Sequence, residues 1–321
     1  MNIRLFLKKA DRVKHCVLLL LAFFMVSSLC QAEALLYAEP THMANSSLLL
    51  DVTRGGDDVY AAGERGHIIR SSDCGVTWQQ MPVPTRKTLN TIFFEDDKKG
   101  WAGGHDGLIL MTEDRGEHWQ IVNEDMAAEQ PIFDLIVTRA GRGLAVGAYG
   151  ALLVSDDGGK SWSQKLIYGE DDFHLYSIIE MRSGELVVSG EAGNVYLSIN
   201  NGNSWEKLKT PYEGTFFGSL LLDDERLIIF GMRGHIYRSS DLGYTWERVA
   251  SATDFTLSGA IELQDKTIMI SGDAGVLLQS KDQGQSFTAL PAARRTHKSA
   301  MVECVDGGVL AVGEAGVEKV R

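Results

Sequence analysis

Carboxylates dominate the side chains of this sequence that could do chemistry. The 321 residues contain 43 Asp and Glu against 31 Lys and Arg. Several acids sit in glycine-flanked stretches: Asp106, Asp171, Asp172, Glu191, Asp273 and Glu314. Two such groups at a fixed separation are what glycoside hydrolysis requires, but solvated turn carboxylates are the simpler reading, and no catalytic residue is assigned. The histidines His42, His67, His105, His118, His174, His235 and His297 are scattered. None pairs at ligand spacing beside two carboxylates, so neither a metal nor a cofactor is expected. No phosphate loop and no Ser–His–Asp arrangement is present.

A second set of acids recurs with a period. GERGHIIRSSDCGVTW begins at residue 63, and similar segments begin at 104, 147, 190, 231 and 272, with a shortened copy from Gly313. A spacing of 41 to 43 residues indicates a propeller or another repeat array. In each copy an apolar run ends at the first glycine of Gly-x-x-Gly, a tight turn. A short strand and Ser/Thr-x-Asp-x-Gly-x-Thr/Ser-Trp follow. The acid of that box can accept turn N–H groups. These acids are Asp73, Asp114, Asp157, Asp241 and Asp282, with Asn200 in the fourth copy. The aromatic residue closing each box, Trp78, Trp119, Trp162, Trp205, Trp246 or Phe287, can fill space between neighbouring sheets. Small antiparallel sheets that cannot bury both faces alone are expected to pack around an axis as a seven-bladed, all-β propeller. The seventh copy lacks an outer strand, so residues 34–40, ALLYAEP, are expected to supply it and close the ring.

The first 32 residues read differently. Five Lys/Arg precede the apolar run VLLLLAFFMV, and Ala32 and Ala34 offer cleavage sites. This is the pattern of a secretory signal peptide, which leaves residues 33–321 as one propeller domain in the periplasm. Removing the leader's five Lys/Arg and one Asp leaves 26 basic and 42 acidic residues, net −16. Such a charge argues against a nucleic-acid partner, and no stable membrane insertion is expected after cleavage. Cys16 and Cys30 leave with the leader; Cys74 and Cys304 remain and are expected as isolated thiols.

The box resembles the Asp-box, or BNR repeat, of sialidases, other glycoside hydrolases and receptor propellers, a turn motif that specifies fold more than function. The longer stretch KKGWAGGHDGLILMTEDRGEHW, 98–119, resembles the repeat unit of the photosystem II stability/assembly factor family, and the likeness extends over roughly 45–321. It implies an exported, non-enzymatic propeller that assists assembly of a membrane complex. Asn200 and Phe287 depart from the pattern and weaken single turns. A sialidase would need an arginine triad and a Tyr–Glu pair; Arg65, Arg233, Arg294, Tyr149 and Glu64 are a loose assortment without the arginine-bearing N-terminal motif.

Function is expected on the face that the Gly-x-x-Gly turns share with the connections between blades. Two connections, PVPTRKTLN and PAARRTHKS, are basic and flank the closure point. With the turn residue Arg65 they place Arg86, Lys87, Arg294, Arg295 and Lys298 on one side of an acidic chain, which can steer a partner. Phe133, Phe173, Tyr176, Phe216 and Phe217 begin inner strands or precede them, with Phe216–Phe217 read as core. The expectation is a monomeric scaffold or assembly factor for an envelope membrane protein or complex. The alternative is a glycan-acting or glycan-binding Asp-box protein.

Overall fold

The computed structural model describes residues 36–124, 130–169 and 171–321. The expected leader, its cysteines, Ala34 and Leu35 lie outside the described residues. Each repeat forms one antiparallel blade. In blade 1 the strands run Leu49–Gly55, Asp58–Gly63, Ile68–Ser71 and Gln79–Gln80, hydrogen-bonded in that order. Blades 2 to 6 repeat this four-stranded order, and blade 7 has three strands, Lys298–Glu303, Val309–Gly313 and Gly316–Lys319. The first strand of every blade packs against its counterparts on both sides, and blade 1 against blade 7, so the ring is closed. The fold is the expected seven-bladed propeller. Among the described residues no helix is long and apolar enough to cross a membrane.

Two local rules build the blades. The first glycine of each tight turn has extended backbone, but a Cβ there would strike the chain entering the same blade: at Gly63 it would lie 2.1 Å from the Leu48 carbonyl oxygen. That close approach ties the second strand to the inner strand. In the box, the Asp73 carboxylate accepts the Thr77 N–H (2.8 Å) and hydroxyl (2.6 Å), and Ser71 Oγ accepts the Gly75 N–H (2.8 Å). The hydroxyl of Ser286, then that of Ser280, holds Asp282 down at about 2 in the sixth copy. Asn200 keeps the same turn: its Oδ1 accepts the Ser204 N–H and its Nδ2 donates to Ser204 Oγ. The expected weakening there is offset by this reversed bond.

The apolar residues collect in clusters at the seams between blades rather than in one central core. Tyr60, Ile68 and Met81 of blade 1 meet Leu89, Leu110 and Trp119 of blade 2. Val52, Val59 and Ile69 meet Val302, Leu310 and Val312 of blade 7 across the last seam. The box aromatics wedge these seams as expected: Trp119 and Phe287 are each 6% exposed.

Closure departs from expectation in two ways. The described part of the N-terminal segment does not complete blade 7. It lies along the outer edge of blade 1, where the Ala38 N–H donates to the Val83 carbonyl at 2.9 Å. Only Ala38 is buried there; Leu36 and Tyr37 are 64% and 49% exposed. Blades 1 to 6 each end in a fourth, outer strand, and the side chains of Gln80 and Arg86 hold the segment on this one. Second, Cys74 and Cys304 are a disulfide rather than isolated thiols. They are 230 residues apart in sequence, but ring closure brings the box turn of blade 1 beside the first hairpin of blade 7, with Cα atoms 5.7 Å apart.

This disulfide should act as the clasp of the last seam. Reduction, or the paired change Cys74→Ala and Cys304→Ala, is expected to cost about 2–5 kcal/mol in urea unfolding. An unchanged midpoint would show that packing alone holds the seam. Trp119→Ala, which opens a cavity in the seam of blades 1 and 2, is expected to cost about 3–5 kcal/mol in the same measurement.

Candidate functional site

The tight turns and the connections share one face, as expected. A Cβ on Gly66 would lie 2.2 Å from the Thr85 carbonyl oxygen, and one on Gly275 2.1 Å from that of Arg294. The turns present Arg65, Asp106, Tyr149, Ala192, Arg233 and Ala274 at positive φ. The six expected docking cations divide on this face. Arg65 is 77% exposed in its side chain, with Glu64 at 4.0 Å. Arg294 and Arg295 are exposed and make no ion pair among the described residues.

The other three are committed within the protein. Arg86 donates to the Tyr37 carbonyl at 2.9 Å and pairs with Glu39 at 2.8 Å. Lys87 sits between Asp106 at 2.8 Å and Glu124 at 2.7 Å. Lys298 corrects the expectation most plainly. It opens the inner strand of blade 7, is 3% exposed, and gives its ammonium to Glu318 at 2.7 Å. The strand boundary, which the basic run PAARRTHKS conceals, takes it out of the loop.

At the centre of this face the inner strands open a cavity of about 430 Å³. Each inner strand has a bulge one residue from its start, such as the shift between Leu49 and Asp51 or between Phe216 and Gly218. A bulge re-aims the extra side chain. The bulged residues Phe133, Tyr176 and Phe217 of blades 3 to 5 form an aromatic wall. Phe133 stacks on Tyr176 at 5.0 Å, and Tyr176 meets Phe217 at 4.8 Å. His174 continues this wall outward to Tyr149, at 4.8 Å. On the facing blades the equivalent residues are Leu50, Asn90, Ser258 and Ser299. The Phe216–Phe217 pair is therefore split: Phe216 is fully buried core, and Phe217 faces the channel.

Below the wall lie two carboxyls that were not singled out from the sequence. Asp51 accepts the N–H of Val52 and, across the seam, that of Ile92, each at 2.8 Å. Asp134 does the same with Leu135 and Ile178. The Thr91 hydroxyl lies between them, 3.1 Å from Asp51 and 3.4 Å from Asp134. The carboxyls bolt inner strands together. Their shared register in SLLLDV and PIFDLIV, an acid inside an apolar strand, was the available signal. Burial pushes Asp51 up to about 6 against the pull of these N–H groups. Burial again, with a smaller contribution from the charge of Asp51, pushes Asp134 up to about 7.

Both carboxyls thus bind a proton more tightly folded than unfolded. Their effect is to favour the folded state at acid pH and to lose that advantage as pH rises from about 4 through about 7. Asp134→Asn is expected to flatten this fall when melting temperature is measured from pH 4 to pH 8. A wild-type slope in the variant would refute the assignment.

Residues 111–262 match the family model described as photosynthesis system II assembly factor YCF48. The chloroplast photosystem II stability/assembly factor HCF136 of Cyanidioschyzon merolae is 35% identical over 81 residues, which span 25% of this chain and 17% of that relative's length. The solved structure of YCF48 bound to D1 peptide has a TM-score of 0.69 at 19% identity, over 85% of this chain and 92% of that one. The GH74 enzyme of Niastella koreensis has a TM-score of 0.67 at 13% identity, over 85% of this chain and 52% of that one. At such identities the structural likeness shows the fold alone, whereas the repeat sequences carry the more specific resemblance. The chain is a β-propeller whose repeats resemble those of the photosystem II stability/assembly factors over the residues matched.

Proposed function

We propose that this chain is an exported, non-catalytic propeller that docks a protein partner through its loop face, as a scaffold or assembly factor for an envelope membrane protein or complex. The observation that carries this reading is the asymmetry of that face. Arg65, Arg294 and Arg295 stand exposed on a chain of net charge −12; Phe255 lines a groove with Arg295, and the turns of blades 3 and 5 present exposed Tyr149 and Met232. Local charge of opposite sign to the whole steers association, and exposed apolar groups supply contact. A D1 peptide bound to a YCF48 propeller is the corresponding use of this fold. The Cys74–Cys304 disulfide supports export, because such bonds persist in oxidising compartments. So does the basic, then apolar N-terminus, with cleavage after Ala32 or Ala34.

A glycan-acting reading draws on the GH74 neighbour and on the Asp51 and Asp134 pair. Those carboxyls, however, already accept backbone N–H bonds from two blades each. Acid–base work would compete with the bonds that hold the strands.

Capture of partners from envelope extract distinguishes the two readings. Exposed charges are screened within about 8–10 Å at physiological salt, so capture by the wild type is expected to weaken as salt rises. It should also weaken in the paired variant Arg65→Glu and Arg294→Glu, with the melting temperature unchanged. A neutral sugar ligand would be indifferent to both. Equal capture in all four conditions would overturn the docking face.

A further inference from the structure

Contacts around the ring make single connection positions comparable. The last glycine of each tight turn abuts one connection carbonyl: that of Thr85 in blade 1, Asp171 in blade 3, Tyr212 in blade 4, Thr253 in blade 5 and Arg294 in blade 6. The next residue is Arg86 in blade 1 and Arg295 in blade 6, but Asp172, Glu213 and Asp254 in blades 3, 4 and 5. In blade 7 it is Ser46, and in blade 2 it falls outside the described residues. Arginine is therefore not what the repeat requires at this place.

In blade 1 the arginine holds a piece of extended chain. Residues 37–41 run along the outer edge, with the Ala38 N–H on the Val83 carbonyl at 2.9 Å. Arg86 grips the segment twice, through the Tyr37 carbonyl at 2.9 Å and the Glu39 carboxylate at 2.8 Å. Gln80 adds two clamps: its Nε2 donates to the Glu39 carbonyl at 3.0 Å, and its Oε1 accepts the Thr41 N–H at 2.9 Å.

Blade 6 repeats the seat. Ala289, Leu290, Ala292 and Arg295 stand where blade 1 has Gln80, Met81, Val83 and Arg86. With Phe255 and Leu277 they line an open groove of about 490 Å³, and Phe255 is 54% exposed. No segment among the described residues covers it as residues 37–41 cover blade 1. We propose that this groove seats an extended peptide of a partner protein, with the pattern apolar–small–acidic, in the manner of Tyr37-Ala38-Glu39. The peptide's small residue donates its N–H to the Ala292 carbonyl, and Arg295 takes the preceding carbonyl and the following carboxylate. Extended peptides gain affinity from such main-chain bonds at an exposed edge. Ala289 lacks the two clamps of Gln80, so the peptide is held firmly at one end only. That suits an exchangeable partner, where the seat on blade 1 suits a permanent one. This inference rests on the protein-binding reading and gives it a ligand chemistry.

The test uses the full chain and a fluorescein-labelled peptide, LYAEPTH, copied from residues 36–42. Saturable binding is expected by anisotropy, weakened at least tenfold by Arg295→Glu at unchanged melting temperature. Glu→Gln in the peptide should weaken it as well. Ala289→Gln, which restores the clamps, should tighten it, and Arg86→Glu should leave it unaffected. No binding, equal binding by Arg295→Glu, or a loss caused by Arg86→Glu alone would overturn the proposal. Sedimentation of the wild type provides a further arm. A concentration-dependent dimer abolished by Arg295→Glu would assign the groove to a second copy of this chain and also overturn it. If peptide binding fails while salt-sensitive envelope capture persists, only the groove falls. If capture fails while the peptide still binds through Arg295, the groove stands and the envelope docking face falls.

Discussion

The structure depends on closure of its last seam. Six of the seven seams join blades adjacent in sequence, and chain connectivity brings them together. The seventh joins residues separated by most of the chain, so its contacts must offset a somewhat larger loop entropy, by about 1–2 kcal/mol, with no short connection to hold the two blades together. Val52, Val59 and Ile69 against Val302, Leu310 and Val312 provide the apolar part. The disulfide adds a covalent link at the box face. Everything on the loop face inherits its geometry from that closure, because the mouth is a ring of seven inner strands and would splay if one junction opened.

The repeat made the blades legible, since each turn rule involves residues within one copy. What spans copies was hidden. Cys74 and Cys304 look unrelated until the ring closes. Residues 34–40 were expected on blade 7 because that blade lacks a strand, yet Gln80 and Arg86 hold the described part of this segment on blade 1. A missing strand is weaker evidence than a particular pair of hydrogen-bonding side chains. Lys298 looked like a loop cation because its neighbours are, and one residue of strand boundary moved it into the interior. The aromatic wall is half legible: the rings stand at the starts of inner strands in the sequence, but the bulge that turns Phe217 inward while Phe216 stays in the core is a backbone event with no residue signature.

The loop face also shows why a count of cations is a poor guide to a docking surface. Lys87 and Arg86 are neutralised by neighbours that only folding supplies, Glu124 with Asp106 and Glu39. Of those six cations, a partner meets Arg65, Arg294 and Arg295, and Phe255 lines a groove with Arg295. Charge of this kind directs encounter, and the apolar groups then determine how long a complex lasts.

The position of the cysteines sets an order on the life of the chain. The half of the last seam made by blade 1 is synthesised first, and its partner, 230 residues later, near the end. At about 5–20 residues per second, an apolar strip carrying Val52, Val59, Ala61 and Ile69 waits on the order of ten to fifty seconds without its cover. During that interval the molecule is an open arc with a sticky end, and a protein that holds it apart from its neighbours would matter most then. Oxidation marks the end of this exposure, because the two sulfurs meet only when the arc has become a ring.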